Sequence, residues 1–308
     1  MRIVFMGTAE FGIPGLRLLL EHKYDIVGVV TNIDKPSGRG QKVNISPVKQ
    51  FALERNLPLL QPSSLKDETF ISEIKALDAD LFIVVAFRIL PAVVFKIPKL
   101  GTFNLHSSLL PKYRGAAPFQ WAIINGERET GVTTFFLDEN VDTGNVILQA
   151  RLPIRENETA GELHDRLSEI GAEVILHTVK LIEMGNAPRH PQDNTLATPA
   201  PKIFKEHCVI DWSKSASDIH NFIRGLSPSP CAYTFHHGKM LKVYRAKKYS
   251  DEHNGVPGEV IQSDKQFVVA TGAGAIEILE LQQEGKKKLQ VEEFLRGYKI
   301  SPGEKLGL

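Results

Sequence analysis

The chain has 308 residues, of which 42% are hydrophobic and 24% are charged, and its formal net charge is +1. These proportions are typical of a soluble globular protein, and the length allows two domains with a core each. A membrane-spanning chain is excluded, because no apolar run approaches the ~20 residues that cross a bilayer.

The cysteines and the first residues indicate a reducing environment. Cys208 and Cys231 are the only two cysteines, too few and too far apart for a disulfide framework or a zinc site. The opening residues, MRIVFMG, have the pattern of a strand and lack the features of a signal peptide. We therefore expect a cytoplasmic protein without a membrane contact or a bound metal.

The charge is divided unevenly along the chain. The part from Lys202 onward has 16 basic and 13 acidic side chains, and the preceding part carries a net charge of about −2. An asymmetry this mild permits a nucleic-acid contact by the C-terminal part but does not predict one.

The first elements predict a doubly wound α/β domain. A strand over residues 2–6, a helix over 14–22 and a strand over 26–30 form a right-handed βαβ unit. The intervening turn lacks the middle glycine of G-x-G-x-x-G, and no Gly-Lys-Ser/Thr follows it. We therefore expect a Rossmann-like parallel sheet that binds neither NAD nor a nucleoside triphosphate.

Residues 32–43, NIDKPSGRGQKV, are basic, contain two glycines and show no apolar periodicity. This composition predicts a mobile surface loop, and a solvated loop without a task is one interpretation of it. Two helices follow, over 46–56 and 67–77, with a short strand between them. The apolar run DLFIVVA over 80–86 then predicts a central strand.

The next predicted strand, residues 100–106, carries a candidate catalytic pair. Side chains alternate along a strand, so Phe103 and Leu105 face a core while Asn104 and His106 share the other face. A neutral amide at Asn104 can stabilise the oxygen that becomes negative when a nucleophile adds to a formyl carbon, an effect of ~10²–10³ in rate. His106 can take the proton of an attacking amine.

A carboxylate further along the chain completes a possible trio. Asp142 lies in the turn-rich segment NVDTG, between strands predicted over 130–137 and 146–151. It can orient the imidazole and stabilise its charge. The alternative is that three isolated polar residues share no function, and the surrounding residues decide between the two interpretations.

The pattern N-L-H-x-S-L-L-P-x-x-R-G-A-A-P over 104–118, followed by D-x-G at 142–144, resembles the 10-formyltetrahydrofolate formyltransferase superfamily. The RGAAP segment and a second domain downstream resemble the members that formylate a tRNA-bound amino acid. The resemblance implies that Asn104, His106 and Asp142 are catalytic. It also implies that a stretch of four residues borders the folate site, namely Ser108, Leu109, Leu110 and Pro111.

The resemblance places two further segments at ligands. The loop after the central strand, with Phe87, Arg88 and Ile89, is expected to edge the pterin pocket. It departs from the usual pattern of the superfamily, in which a glycine follows the aromatic residue and the segment is one residue longer. The basic loop matches a segment that contacts the tRNA acceptor end, where Lys35, Arg39 and Lys42 are candidates for holding phosphates.

The remaining part of the chain predicts a long helix over 159–184, a proline-rich linker and a small barrel. A short helix near 215–225 is followed by closely spaced strand patterns over 232–235, 240–247, 259–262, 267–271 and 275–280. The resemblance implies an OB-like barrel that binds tRNA, with Lys242 and Arg245 as contacts. A solvated surface is the alternative for each of these cations. His236 and His237, before Gly238, predict a hairpin turn.

We therefore expect a Rossmann-like catalytic domain over 1–188, a linker over 189–205 and an OB-like β-barrel over 206–308. The expected reaction moves a formyl group from 10-formyltetrahydrofolate, a co-substrate rather than a tightly bound cofactor, to the α-amine of initiator methionyl-tRNA. A monomer is expected. The alternatives are formylation of an amino-sugar nucleotide or of glycinamide ribonucleotide, and a non-catalytic RNA- or folate-binding module.

Overall fold

The computed structural model describes residues 1–37 and 42–307, with the backbone alone for residues 35–37 and 42–44. The fold is mixed α/β, with a largely parallel sheet and a separate antiparallel sheet that forms a half-barrel. By packing, the chain divides into two compact units. Unit 1 comprises Met1–Gly115, Thr130–Leu152 and His164–Pro199, and unit 2 comprises Ala116–Glu129, Pro153–Leu163 and Ala200–Leu308.

The elements follow one another as the βαβ pattern predicts. Up to residue 106 they are β1 (Arg2–Gly7), α1 (Ile13–Glu21), β2 (Asp25–Val30), β3 (Lys35–Ser37), β4 (Lys42–Asn44), α2 (Pro47–Glu54), β5 (Leu59–Leu60), α3 (Glu68–Ala76), β6 (Leu81–Val85), α4 (Ala92–Phe95) and β7 (Thr102–His106). From there to residue 200 they are β8 (Arg114–Gly115), α5 (Pro118–Ile124), β9 (Glu129–Phe136), β10 (Val146–Pro153), α6 (Ala160–Glu183) and β11 (Pro199–Ala200).

The last hundred residues add most of unit 2. Their elements are α7 (Ala216–Leu226), β12 (Ala232–His236), β13 (Lys239–Ser250), β14 (Val260–Gln262), β15 (Phe267–Ala270), β16 (Ala275–Gln283), β17 (Leu289–Gln290) and α8 (Val291–Gly297). Among the described residues, no helix combines the length and the apolar content that crossing a membrane requires.

The sheet of unit 1 has the order β5-β2-β1-β6-β7-β9-β10. Its first five strands are parallel, and β9 runs antiparallel to β7. The order reverses between β1 and β6, so the crevice that binds ligands in such sheets is expected at the carboxyl ends of these central strands. This topology confirms the predicted doubly wound domain.

Helices cover both faces of the sheet of unit 1, and their contacts identify the face to which each side chain of β7 points. On one face Val4 and Val84 pack with Phe70 of α3. On the other face a Cβ at Gly171 of α6 would lie 2.8 Å from Leu105, so α6 packs closely on this strand. Because Leu105 faces α6, the alternating Asn104 and His106 face the opposite side of the sheet.

The basic segment is more regular than its composition predicts. The composition of residues 32–43 predicts a mobile surface loop, whereas in the described part of this segment β3 and β4 pair antiparallel, with Lys35 opposite Asn44. Short strands of this kind need no apolar alternation, because the pairing uses backbone N–H and C=O groups alone.

Unit 2 is organised around the antiparallel sheet β12-β13-β16-β15-β14, to which β17 adds by pairing with β16. Its core includes Trp212, whose indole N–H donates to the Thr234 hydroxyl over 3.0 Å. Helix α7 packs against α5 so closely that a Cβ at Gly225 would lie 2.7 Å from Ile124. Helix α8 was not expected, because seven residues are too short for a clear helical period.

Candidate active site

Strand β7 presents the two candidate residues in the predicted alternation. Phe103 and Leu105 are buried at 0% and 3% exposure, Asn104 is half-buried and His106 is 6% exposed. In the sheet register Asn104 lies beside Val84 of β6, and His106 lies beside Thr133 of β9. The pair therefore sits at the end of a rigid strand, which holds both side chains in a defined direction.

The hydrogen bonds of His106 select its tautomer. Nε2 lies 2.8 Å from the carbonyl oxygen of Tyr113, and a carbonyl can only accept, so Nε2 carries the proton. Nδ1 is then the nitrogen that can gain or lose a proton, and it lies 3.8 Å from Oδ2 of Asp142. This separation is too long for a direct hydrogen bond, but it is short enough for the carboxylate to stabilise an imidazolium.

Asp142 is held by groups from two other parts of the chain. Its Oδ2 accepts from the backbone N–H of Gly115 over 2.9 Å, and its carbonyl oxygen accepts from Nε2 of Gln192, also over 2.9 Å. The residue adopts the left-handed conformation, with φ of +57°. At Gly144 a Cβ would lie 1.7 Å from the Phe136 carbonyl oxygen, so the glycine of D-x-G lets the turn pack against β9.

Gln192 is a site residue that the sequence reasoning did not identify. Its amide nitrogen donates to the carbonyl oxygens of both Asp142 and Gly144, at 2.9 and 2.8 Å. Its Oε1 accepts from the Arg114 guanidinium over 2.7 Å, and this guanidinium also donates to Asn194. The residue lies in the proline-rich stretch interpreted as a linker, where a glutamine has no distinguishing signal.

The segment after β7 is fixed by a buried hydroxyl. Thr133 Oγ1 donates to the Ser108 carbonyl oxygen over 2.7 Å and accepts from the Leu110 N–H over 3.1 Å. Gln149 Nε2 donates to the Leu110 carbonyl oxygen over 2.8 Å. Of the four predicted folate neighbours, Ser108 and Leu110 are buried, whereas Leu109 and Pro111 are half-buried.

Arg88 takes a role that the sequence left open. Its guanidinium donates to the carbonyl oxygens of Ser63 and Pro62, over 3.2 and 3.0 Å, and it lies 5.2 Å from the centre of the Phe87 ring. Burial lowers the pKa of this guanidinium. Arg88 therefore ties the loop after β6 to the segment before α3, while Ile89 is 77% exposed.

The structure describes the five predicted tRNA contacts to different extents. Arg39 lies outside the described residues, and the structure describes only the backbone of Lys35 in β3 and Lys42 in β4. Lys242 is half-buried on β13. Arg245, on the same strand, forms a salt bridge with Glu162 within unit 2.

Comparison with known proteins identifies the class. Residues 1–179 match the model of the formyl transferase family, and residues 202–299 match the model of the formyl transferase C-terminal domain. The chain belongs to the formyl transferase family, so it is an enzyme of one-carbon group transfer, and the superfamily predicted from residues 104–118 is confirmed.

Particular relatives extend over the whole chain. It is 51% identical to a methionyl-tRNA formyltransferase of Flavobacterium johnsoniae over 99% of both chains. It is 47% identical to a methionyl-tRNA formyltransferase of Acetivibrio thermocellus over 100% of both chains.

Solved structures share the fold at lower identity. The sugar 3N-formyl transferase WlaRD has a TM-score of 0.69 at 23% identity, over 93% of this chain and 99% of that one. HypX from Aquifex aeolicus in complex with tetrahydrofolic acid has a TM-score of 0.67 at 24% identity, over 98% of this chain and 49% of HypX.

Proposed function

We propose that this chain transfers the formyl group of 10-formyltetrahydrofolate to the α-amine of initiator methionyl-tRNA. The acceptor is supported by relatives named methionyl-tRNA formyltransferase that align over practically the full length. One observation carries the chemistry. The Nε2–H of His106 is committed to a backbone carbonyl, which leaves Nδ1 to exchange a proton beside Asp142.

In the proposed reaction the amine nitrogen of the methionyl ester attacks the formyl carbon. A C–N bond forms, the carbonyl electron pair moves to the oxygen, and the Asn104 amide donates a hydrogen bond to that oxygen. Nδ1 of His106 takes the proton of the amine, and Asp142 stabilises the imidazolium. The bond between the formyl carbon and N10 of the folate then breaks as the C=O bond re-forms. Nδ1 of His106 gives its proton to N10, and tetrahydrofolate is released.

The folate is proposed to lie along two loops at the carboxyl ends of β6 and β7. Thr133 and Gln149 hold the backbone of the second loop, so half-buried Leu109 and Pro111 form a fixed edge. In the first loop Arg88 is occupied by carbonyl groups, which leaves Phe87 and Ile89 as the side chains for an apolar contact with the pterin.

The proposal assigns catalysis to residues 1–188 and tRNA binding to 206–308, with residues 189–205 connecting them. Lys35, Arg39 and Lys42 are proposed to reach the acceptor end. On β13, Arg245 would exchange Glu162 for a phosphate, whereas Lys242 adds charge to the same strand. Replacing any of these cations by alanine should lower the salt dependence of tRNA binding, because fewer counterions are then released.

The decisive test compares acceptors in parallel. Formyl transfer from 10-formyltetrahydrofolate is measured to methionyl-tRNA, glycinamide ribonucleotide and an amino-sugar nucleotide. We expect turnover with methionyl-tRNA alone. A larger kcat/KM for either small amine would overturn the proposed acceptor while leaving the proposed chemistry intact.

The basic segment is tested by Arg39→Ala, with Lys66→Ala as a control on another exposed part of the chain. Arg39→Ala should raise KM for the tRNA or lower kcat, with little change in folate affinity. Kinetics equal to those of the parent would remove Arg39 from the proposed tRNA contacts.

A further inference from the structure

The turn between β12 and β13 presents two adjacent imidazoles. His236 pairs with Lys239 in the register, so His237 and Gly238 form a two-residue turn, with φ values of +48° and +73°. Positive φ at both positions is typical of a type I′ hairpin, as the sequence predicts. The ring centroids of His236 and His237 lie 4.1 Å apart. This spacing has no role in the formyl transfer proposed above.

A distant carboxylate lies over this turn. The C-terminal segment returns to the sheet, because Gly307 N–H donates to the Phe235 carbonyl oxygen and Val260 N–H donates to the Glu304 carbonyl oxygen. Glu304 Oε1 thereby lies 3.1 Å from Nε2 of His237, and Oε2 lies 3.7 Å from Nε2 of His236. The three ligand atoms of this cluster all lie within 4.8 Å of one another.

His236 has one nitrogen satisfied and one unpaired. The residue is 1% exposed, and its Nδ1 lies 2.9 Å from the Tyr298 hydroxyl. Its buried Nε2 has no hydrogen-bond partner among the described residues, although it points toward Glu304. Such an unpaired buried group typically costs ~1–3 kcal/mol, so its retention points to a ligand that this nitrogen could bind.

We propose that His236, His237 and Glu304 form a binding site for a divalent transition-metal ion of the zinc class. Bonds of ~2.0–2.2 Å at tetrahedral angles place ligand atoms about 3.3–3.6 Å apart. The separations of His237 Nε2 from Oε1 and of His236 Nε2 from Oε2 of Glu304, 3.1 and 3.7 Å, lie on either side of that range. All three ligand atoms lie within 4.8 Å of one another, so side-chain rotations would bring them onto one ion. His237 is on the exposed side of the turn, which gives the ion an entry route and leaves room for water as a fourth ligand.

The donor set selects the metal. Two imidazole nitrogens and one carboxylate suit Zn²⁺, Co²⁺ and Ni²⁺, whereas Mg²⁺ and Ca²⁺ require oxygen ligands. Tyr298 holds Nδ1 of His236 and thereby aims Nε2, as outer hydrogen-bond partners do in zinc sites.

The metal would join two parts of unit 2 that are distant in the chain. Glu304 belongs to the C-terminal segment, and the imidazoles belong to a hairpin more than sixty residues earlier. Since the ion binds only when both are in place, it should raise the melting temperature and protect residues 301–307 from proteolysis.

The experiment titrates the untagged full-length protein with Co²⁺ and follows the visible absorption of a four-coordinate complex, with Zn²⁺ as competitor. We expect one ion per chain. His237→Ala and Glu304→Gln should each weaken binding at least ~10-fold, and Tyr298→Phe should weaken it less. His207→Ala removes another exposed imidazole of unit 2 and should leave the affinity unchanged.

Equal Co²⁺ affinity in the parent and in His237→Ala would overturn the proposal, as would an equal loss in His207→Ala. A spectrum of six-coordinate Co²⁺ in the parent, with no rise in melting temperature on adding Zn²⁺, would overturn it too. Methionyl-tRNA formylation by His237→Ala should equal that of the parent, so this test stands apart from the proposed function.

Discussion

Two histidine–carboxylate arrangements in this chain place the same groups at nearly the same distance. His106 Nδ1 lies 3.8 Å from Asp142, and His236 Nε2 lies 3.7 Å from Glu304. In the first, a backbone carbonyl holds the far nitrogen and a backbone N–H holds the carboxylate. In the second, a tyrosine hydroxyl holds the far nitrogen, and the carboxylate is shared with a second imidazole, His237.

The difference decides what each arrangement can do. Around His106 the neighbouring groups hold Nε2 and leave Nδ1 as the nitrogen that can exchange a proton with a substrate, as acid–base catalysis requires. Around His236 two imidazole nitrogens and a carboxylate oxygen lie within 4.8 Å of one another, the kind of cluster that the proposed metal ion would need. Distance alone would not separate the two sites, whereas the identity of the satisfied nitrogen and the number of converging donors does.

The largest effect is expected when the first histidine is removed. His106→Ala should lower kcat for formyl transfer by ~10²–10⁴, because the attacking amine loses its base. Folate binding, measured by equilibrium titration, should change little. His237→Ala is the matched change in the second arrangement and should keep the kcat of the parent. A similar loss of kcat in His106→Ala and His237→Ala would contradict the distinction drawn between the two arrangements.

Asn104→Ala tests the oxygen-stabilising part of the first site. We expect kcat to fall by ~10²–10³ at nearly constant folate affinity, because the amide acts on charge that appears only during the reaction. Single-turnover measurements isolate this step from product release. Asn104→Asp should be at least as slow, since a carboxylate would repel the negative oxygen. A kcat near that of the parent would remove Asn104 from the proposed mechanism.

A third buried histidine, His220 on α7, sharpens the comparison through pH. Burial, and then the positive charges of Arg224 and Lys248, lower its pKa from 6.5 to about 4. Below pH 6.5 His220 becomes protonated in the unfolded chain but stays neutral in the folded chain until the pH approaches 4. The free energy of unfolding therefore falls as the pH falls. From pH 7 to pH 5 this residue should remove about 2 kcal/mol of stability.

Urea unfolding of the parent and of His220→Gln, at pH 7 and at pH 5, measures this effect. The pH-dependent loss should be smaller in the variant by about 2 kcal/mol. The same loss in both proteins would show that His220 titrates normally in the folded state.

The smallest effect is expected at Gln192, which positions Asp142 through its backbone. Gln192→Ala should lower kcat by ~10-fold with KM for folate unchanged, because the carboxylate is no longer held in place. The acidic limb of the pH–rate profile should shift as well, which a loss of stability alone would not produce. Gln50→Ala, on the exposed side of α2, is the control. An unchanged pH profile in Gln192→Ala would contradict the positioning role.

Much of the fold and half of the site could be predicted from local patterns. The alternation in residues 102–106 correctly placed Asn104 and His106 on one face, and the βαβ pattern predicted the doubly wound sheet. Short elements were missed, such as α4 with its four residues and the paired strands β3 and β4. One turn of helix or three residues of strand contain too few positions to show a period.

The sequence by itself determined the class of fold, the face on which the proposed catalytic pair lies, the family and the hairpin at His237, because each depends on neighbours within a few residues. Only the tertiary structure decided that the Tyr113 carbonyl selects the tautomer of His106, that Gln192 reaches Asp142 and that Glu304 lies over the hairpin. The last two contacts join residues about fifty or more positions apart. Such contacts depend on how the chain closes its loops and packs its cores, which local periodicity does not encode.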